Sequence, residues 1–176
     1  MNALALSWPR RADARPSFAA AAEAHLGDVV RYPALLTGDA SLAEDLAAET
    51  FEKAFRAWRR FDPARASERT WLCAIARNVA LDHFRVEARR RRREARYSAD
   101  DASVAEPGIG GFSPELDAAL RTLSAGEREV LALRIVLDLD AESSARILGI
   151  GRTACSMRLA RALTKLEERM GSHATA

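Results

Sequence analysis

The chain has 176 residues, of which 48% are hydrophobic and 30% are charged, a balance typical of globular rather than disordered proteins. No apolar stretch approaches the roughly 20 residues of a membrane-spanning helix, so we expect no membrane insertion. No secretory signal follows the arginines near the N-terminus, and a cytoplasmic location is therefore expected.

The cysteine and histidine content indicates neither a disulfide nor a metal site. Cys73 and Cys155 lie far apart, each inside an apolar helical pattern in which a free cysteine behaves as a small hydrophobic residue. The three histidines are scattered rather than spaced as ligands. The sequence predicts no cofactor.

The charge distribution predicts two modules joined by a tether. Residues 98–115 carry four acidic residues and no basic one, whereas the flanking segments are net basic. The stretch YSADDASVAEPGIGGF (97–112) lacks sustained periodicity and is typical of a flexible linker. Because strand patterns are nearly absent, the predicted fold is all-α, with two small helical domains. The predicted segments are a disordered N-terminus (1–16), a first domain (17–96), an acidic linker (97–113) and a second domain (114–171).

Capping patterns predict where several helices begin. Phe18–Leu36 is predicted to be helical, with Gly27 and Pro33 breaking or bending the helix. Ser41 and Ser124 are each followed three residues later by glutamate, as in a capping box. Ser113, followed by proline and glutamate, predicts another helix start.

The predicted helix Leu42–Phe61 has one apolar and one acidic face. Asp45, Glu49 and Glu52 fall together opposite the apolar face. They could form an ordinary solvated surface or a strip that docks a basic partner helix, and spacing alone leaves both readings open.

A basic helix is predicted from Ser67 to Arg93. Trp71, on this helix, is expected to pack in the hydrophobic core rather than to stack on nucleic-acid bases. Five consecutive arginines (89–93) cannot all pair internally, which indicates a phosphate-rich partner or bulk water. Asparagine is suited to reading a base edge. One narrow arc opposite the apolar face contains Asn78, Asp82, Arg85 and Arg89.

The C-terminal segment has helix-turn-helix proportions: a short helix (Ala141–Leu148), a turn (Gly149–Gly151) and a longer helix (Arg152–Met170). The start of the longer helix would meet base edges, although a helical hairpin with a charged surface remains the alternative. Ser144 stands where an apolar residue is expected. The side chains predicted to pack inward are Cys155, Leu159, Ala162, Leu163, Leu166 and Met170, and those predicted to point outward are Ala154, Met157, Arg158, Arg161 and Lys165.

Four stretches taken together resemble the extracytoplasmic-function (ECF) sigma factors of bacterial RNA polymerase. They are AEDLAAETFEKAFRAW (43–58), WLCAIARNVALDHFR (71–85), LRTLSAGEREVLALR (120–134) and LGIGRTACSMRLARAL (148–163). Their order and spacing match this family from about Phe18 to Met170. The resemblance implies a region 2 helical bundle followed by a region 4 helix-turn-helix.

The resemblance also implies a role for each surface. The residues matching the surface that binds core polymerase, at the clamp helices of its largest subunit, are Asp45, Leu46, Glu49 and Glu52. Those matching the −10 element helix are Arg77, Asn78, Asp82, Arg85, Arg89, Arg90 and Arg92. Those matching the −35 recognition helix are Arg152, Thr153, Ser156, Met157, Arg158 and Arg161. The polymerase flap, promoter DNA and an anti-sigma factor are further implied partners. Ala48, Ser144 and Cys155 depart from the usual family residues.

The expected function is that of a sigma subunit, without catalytic chemistry of its own, that gives core polymerase its promoter specificity. Two alternatives remain at this point: a stand-alone helix-turn-helix regulator, and a degenerate sigma-like interaction protein. An enzyme is not expected, because no nucleophile–base set, catalytic carboxylate pair or phosphate-cradling loop is present.

Overall fold

The computed structural model describes residues 17–97 and 113–171. Every regular element within these two ranges is helical, as the predicted class requires. The described N-terminal module consists of α1 (Phe18–Thr37), α2 (Ala40–Ala57) and α3 (Glu68–Tyr97). The described C-terminal module consists of α4 (Pro114–Arg121), α5 (Ala125–Leu131), α6 (Ala141–Leu148) and α7 (Arg152–Gly171). None of these helices has the length and apolar character to cross a bilayer. The predicted disordered segment 1–16 and residues 98–112 of the predicted linker lie outside the described residues.

Helix α1 runs unbroken from Phe18 to Thr37, so a break at Gly27 or Pro33, one of the two predicted outcomes, is wrong. Ser17 caps it, with its Oγ accepting a hydrogen bond from the amide of Ala20 at 3.1 Å. Pro33 removes one backbone donor, but it is buried in the module, so packing offsets the lost bond. The helix ends at Gly38, whose φ of 68° lies in the left-handed region that favours glycine.

Helix α2 is capped by Asp39, and the capping box predicted at Ser41 is wrong. The Asp39 carboxylate accepts a hydrogen bond from the amide of Leu42 at 3.1 Å. Because Asp39 directly follows the turn at Gly38 and the helix begins at Ala40, Ser41 is already inside the helix.

Helix α3 is the longest described element, with 30 residues. Ser67 precedes it and accepts a hydrogen bond at Oγ from the amide of Thr70 at 3.2 Å. At about 1.5 Å per residue the helix is about 45 Å long, so its arginine-rich C-terminal end extends well beyond the three-helix bundle. The predicted basic helix is therefore confirmed and continues to Tyr97.

Two short capped helices open the C-terminal module. Ser113 caps α4 by accepting from the amide of Leu116 at 3.3 Å. Ser124 and Glu127 form the predicted capping box on α5, with the Glu127 carboxylate accepting from the Ser124 amide at 2.8 Å. After α5 the chain widens into a π-helical turn (Ala132–Val136).

The helix-turn-helix has the predicted bounds for α6 and the predicted start for α7. Gly149 makes the turn possible with a φ of 68°. Two side chains predicted to pack inward, Leu163 and Met170, are instead 36% and 45% exposed. Leu163 lies between the packed Ala162 and Leu166 but at the edge of the apolar face, whereas Met170 lies near the C-terminal end of α7, beyond the residues that pack in the core.

The two modules pack against each other. Tyr32 and Leu72 of the N-terminal module share one apolar core with Leu133 and Leu137 of the C-terminal module. Helix α3 contacts α6, and α1 contacts the π-helical turn. The sequence predicted a tether between modules but not this direct contact, which we call the module interface.

Candidate nucleic-acid and partner interfaces

The outer face of α3 carries the predicted base-reading side chains. Asn78, Asp82 and Arg85 recur at intervals of four and three residues, so they lie on one side of the helix, and all three are exposed. Arg85 donates from Nη1 to Asp82 Oδ1 at 2.9 Å, which orients both side chains. The exposed amide of Asn78 combines a donor and an acceptor, the pair of groups that a base edge requires. We call these three residues the α3 arc.

The arginine run continues this surface toward the C-terminal end of α3. All five arginines at 89–93 are exposed. Arg90 donates from Nε to Glu94 at 2.8 Å, and this hydrogen bond, together with the nearby charge of Glu87, raises its pKa. A shallow depression is lined by Val86, Arg89, Arg92 and Arg93. This end of the helix therefore presents fixed positive charge to a polyanion.

Arg77 does not lie with the other predicted −10 residues. Its Nε donates to Glu129 Oε1 at 2.7 Å and its Nη2 to Glu129 Oε2 at 3.3 Å. The side chain is 19% exposed, because α5 of the C-terminal module covers it. Sequence position alone could not reveal this, since Glu129 is 52 residues away along the chain.

The start of α7 presents most of the predicted −35 residues to the outside. The exposed members are Arg152, Thr153, Ser156, Met157 and Arg161. Arg158 differs, because it is half-buried against α5: a Cβ added at Gly126 would lie 3.0 Å from Arg158 Nη1. Arg158 thus packs between two helices of its own module. Lys165, predicted to point outward, reaches back to the buried carboxylate of Glu127 at 2.8 Å.

The acidic residues of α2 form an exposed strip. Asp45, Glu49 and Glu52 are all exposed on one side of the helix. Glu49 pairs with Lys53 at 2.7 Å and Glu52 pairs with Arg56, each one helical turn further on. Ion pairs this exposed contribute little to stability, so the geometry is compatible both with an ordinary solvated surface and with a docking strip.

Two neighbours of this strip differ from the sequence-based expectation. Leu46 is 4% exposed and lies on the apolar face of the helix, as helical spacing predicts, so it supports the strip from behind, whereas the family resemblance implies a docking role. Phe55 was missed by sequence reasoning and is 66% exposed, with its ring edge-on to Phe18 at 5.3 Å. The available signal was its position off the apolar face of the helix. An exposed aromatic side chain beside charged groups is typical of a protein-binding surface.

The remaining reactive side chains are structural. Burial, reinforced by the charge of Asp28, raises the pKa of the Cys73 thiol to about 12, so it is not a nucleophile near neutral pH. Burial also raises the pKa of Cys155. Among the described residues there is no group of three or more potential metal ligands.

A three-helix module with a basic outer face, followed by a helix-turn-helix, defines an all-helical DNA-binding protein. Comparison with known proteins identifies the family. Residues 21–90 match Sigma-70 region 2 and residues 113–166 match Sigma-70 region 4. The ECF RNA polymerase sigma factor SigC of Mycobacterium tuberculosis is 37% identical over 138 residues, covering 77% of this chain and 73% of SigC. The ECF sigma factor SigX of Bacillus subtilis is 25% identical over 156 residues, covering 81% of this chain and 78% of SigX.

Solved structures agree with this result. The sigma factor RpoE from Bartonella quintana, solved in complex with the anti-sigma factor NepR, superposes with a TM-score of 0.67 at 25% identity, covering 88% of this chain and 96% of RpoE. The chain belongs to the ECF sigma factors. It directs promoter-specific initiation of transcription by RNA polymerase, and the alternative of a stand-alone regulator is not favoured.

Proposed function

We propose that α2 docks the chain on core RNA polymerase, that α3 captures the −10 promoter element and that α7 reads the −35 element. The observation that carries this proposal is the exposed α3 arc, which runs without a break into five exposed arginines. A base-reading group beside a row of phosphate-binding groups is the arrangement that DNA recognition needs. The chain supplies binding energy and the polymerase supplies the chemistry, in the cytoplasm.

Capture of the −10 element divides between the two ends of α3. The Asn78 amide donates to and accepts from one base edge. Beside it, Asp82 offers an anionic acceptor and Arg85 a cationic donor. A base flipped out of the stack would present its whole edge to this arc. Arg89 and Arg92 hold backbone phosphates, with Arg90 contributing charge while bound to Glu94.

Recognition of the −35 element falls to the start of α7. Arg152, Thr153 and Ser156 enter the major groove first, and Arg161 follows one turn behind Met157, whose carbonyl accepts from Arg161 Nε at 3.3 Å. We assign Arg158 a positioning role, because its guanidinium lies over Gly126 of α5.

Docking on polymerase uses the acidic strip of α2 with Phe55 at its end. Asp45, Glu49 and Glu52 would face the clamp helices of the largest subunit, provided that those helices are basic. Phe55 would add a desolvated aromatic contact of the kind that dominates protein interfaces. The C-terminal module would in turn meet the flap. Because the related RpoE was solved with an anti-sigma factor, we also assign this chain a partner of that class.

The test of this proposal is Asn78→Ala, assayed with core polymerase on a promoter library. We expect open-complex formation to fall about 5- to 150-fold, because one bidentate base contact is worth about 1–3 kcal/mol. Co-purification with core polymerase should be unchanged, since Asn78 lies on α3 and the acidic strip on α2. Thr164→Ala removes another exposed polar side chain and should behave as wild type. Normal promoter opening by Asn78→Ala would refute the base-capture role.

A further inference from the structure

The module interface contains a buried ion pair that uses a predicted DNA-binding residue. The carboxylate of Glu129 on α5 receives both the Nε and the Nη2 of Arg77 on α3. The side chains of Glu129 and Arg77 are 9% and 19% exposed. Two charges removed from water in this way are stable only as a pair, because separating them leaves each without a partner in a poorly solvated site.

A third group completes this cluster, which we call the Glu129 cluster: Tyr32, Arg77 and Glu129. The buried Tyr32 hydroxyl donates to Glu129 Oε1 at 3.4 Å. Burial, followed by the charge of Glu129, raises the pKa of Tyr32 well above its ordinary value, so this hydroxyl stays a donor. Both oxygens of one carboxylate are therefore held by two helices of the other module.

A second polar contact crosses the module interface near the π-helical turn. Arg69 donates from Nε to Asp28 at 2.6 Å within the N-terminal module, and its Nη2 donates to the backbone carbonyl of Leu137 in the C-terminal module. The adjoining Asp138 has a φ of 46°, a strained value for a residue other than glycine. The interface thus combines apolar contacts with polar contacts that depend on a few arginines.

Two clefts that open to solvent lie along the edges of the module interface. A cleft of about 290 Å³ lies beside the Glu129 cluster, lined in part by Leu81, Phe84 and Glu129. A second cleft of about 190 Å³ is lined in part by Leu35, Leu120 and Ile135. Both clefts are open, so solvent reaches the edges of the interface beside the Glu129 cluster.

With the two modules packed together, α3 and α7 cannot contact both promoter elements at the same time. This step rests on the proposed function. Elements centred 10 and 35 base pairs upstream lie about 85 Å apart at about 3.4 Å per base pair. A compact chain of this length has a radius of gyration of about 16 Å and so a diameter of about 40 Å. The modules must therefore separate for α3 and α7 to reach their two elements together.

We infer that the Arg77–Glu129 pair holds the chain in a closed form and withholds Arg77 from DNA until the modules separate. Successive helix residues point about 100° apart, so Arg77 lies on the flank of α3 that meets α5, and release of its guanidinium would add one cation at the edge of the α3 arc. Glu129 acts in the closed form as the competitor of a DNA phosphate for Arg77. Opening the chain and completing the −10 surface are then the same event.

The first experiment measures the shape of the full chain by small-angle X-ray scattering. We expect Glu129→Gln to raise the radius of gyration by several ångströms, while Glu168→Gln, which removes an exposed carboxylate of α7, leaves it unchanged. Tyr32→Phe is a milder variant that keeps the ring and should produce a smaller opening, so the test survives if Glu129→Gln folds poorly. An unchanged radius in both variants overturns the inference.

The second experiment measures binding of a labelled 12-nucleotide single strand of mixed sequence as a function of salt. Each phosphate contact to a single strand contributes about −0.7 to the slope of log K against log salt. We expect Glu129→Gln to steepen the slope by about 0.7 and to bind about 3- to 10-fold more tightly at low salt, and we expect Arg77→Gln added to it to restore the wild-type slope.

The two experiments separate this inference from the proposed function. An open chain with an unchanged slope overturns the withholding of Arg77, because the freed guanidinium then does not meet phosphate. Failure of the proposed function would be seen in a different assay, as normal promoter opening by Asn78→Ala, and it does not depend on the results for the Glu129 variants.

Discussion

The hydroxyl of Ser144 lies fully buried in α6, and its Oγ has no hydrogen-bond partner within the described structure. A buried hydroxyl without a partner costs about 1–3 kcal/mol relative to water. We expect Ser144→Ala to raise the free energy of unfolding by about 0.5–1.5 kcal/mol, since it removes that cost and leaves a small cavity. Thermal unfolding of the full chain measures the change.

Ser143 provides the matched control one residue earlier. Its Oγ donates to the N-cap carboxylate of Asp140 at 2.7 Å. Ser143→Ala should therefore lower the unfolding free energy, the opposite sign from Ser144→Ala. A loss of stability in both variants would mean that the Ser144 hydroxyl is satisfied in solution.

Glu127 links the start of α5 to α7 and makes the C-terminal module sensitive to acid. Its hydrogen bond from Lys165, with further hydrogen bonds from Ser124, lowers its pKa to about 2 from an ordinary value of 4.5. Because the folded pKa is the lower one, the stabilisation is fully present above pH 4.5 and is lost as the pH falls toward 2. Lys165 is 46% exposed, so the contribution is on the order of 1–2 kcal/mol rather than the full value implied by the shift.

Urea unfolding at pH 6, 4 and 3 tests this linkage. We expect Glu127→Gln to be less stable than wild type at pH 6 and to lose stability less steeply between pH 4 and pH 3. Glu168→Gln, which changes an exposed carboxylate, should keep the wild-type pH dependence. Identical pH profiles for wild type and Glu127→Gln would contradict the assigned pKa.

At the scale of elements, the acidic strip of α2 is open to a direct test. We expect Asp45→Lys combined with Glu49→Lys to abolish co-purification with core polymerase. Both side chains face outward, so the introduced lysines would meet the positive charge of the proposed partner surface. The fold should survive, since both positions are exposed.

The matched control places the same change of charge outside the strip. Glu23 on α1 and Glu44 on α2 are both exposed, and their replacement by lysine alters the net charge equally. We expect this control to bind polymerase as wild type does. Retention of polymerase by the Asp45/Glu49 variant would refute the docking assignment for α2.

The ends of helices were predictable from the sequence where a capping residue acts on its immediate neighbours. The capping box at Ser124 and the whole of α6 agreed with prediction, because caps and turns depend on neighbours within three or four residues. Ser41 failed because Asp39, two residues earlier, caps the helix through the amide of Leu42, so the helix has already begun at Ala40. The face of α3 was also predictable, since helical spacing alone puts Asn78 and Arg85 on one side.

Partners from distant parts of the chain were not predictable. Arg77 has the spacing of a DNA-binding residue, yet its ion pair forms with a carboxylate 52 residues away. Leu46 is the opposite case, because helical spacing puts it on the apolar face of α2, where it is buried, and only the family resemblance implies a docking role for it. Periodicity records which face of a helix is apolar, and it contains no information about which other element covers a polar residue.

At the scale of the whole molecule, the shared core predicts coupled unfolding of the two modules. Trp8, Trp58 and Trp71 all precede residue 98, so tryptophan fluorescence reports on the N-terminal part of the chain alone. Far-UV circular dichroism reports on the helices of both modules. We expect the two signals to give the same urea midpoint in the wild-type chain, because Tyr32, Leu72, Leu133 and Leu137 lie in one core.

Replacement of Arg69 should uncouple the unfolding of the two modules. Its guanidinium joins Asp28 to the carbonyl of Leu137, and without it that buried carbonyl loses a donor from the other module. We expect Arg69→Gln to separate the fluorescence and circular dichroism midpoints. Arg56→Gln breaks an exposed pair within α2 and should leave them coincident. Coincident midpoints in Arg69→Gln would mean that the apolar contacts alone couple the modules, and separate midpoints in the wild-type chain would mean that they unfold independently in solution.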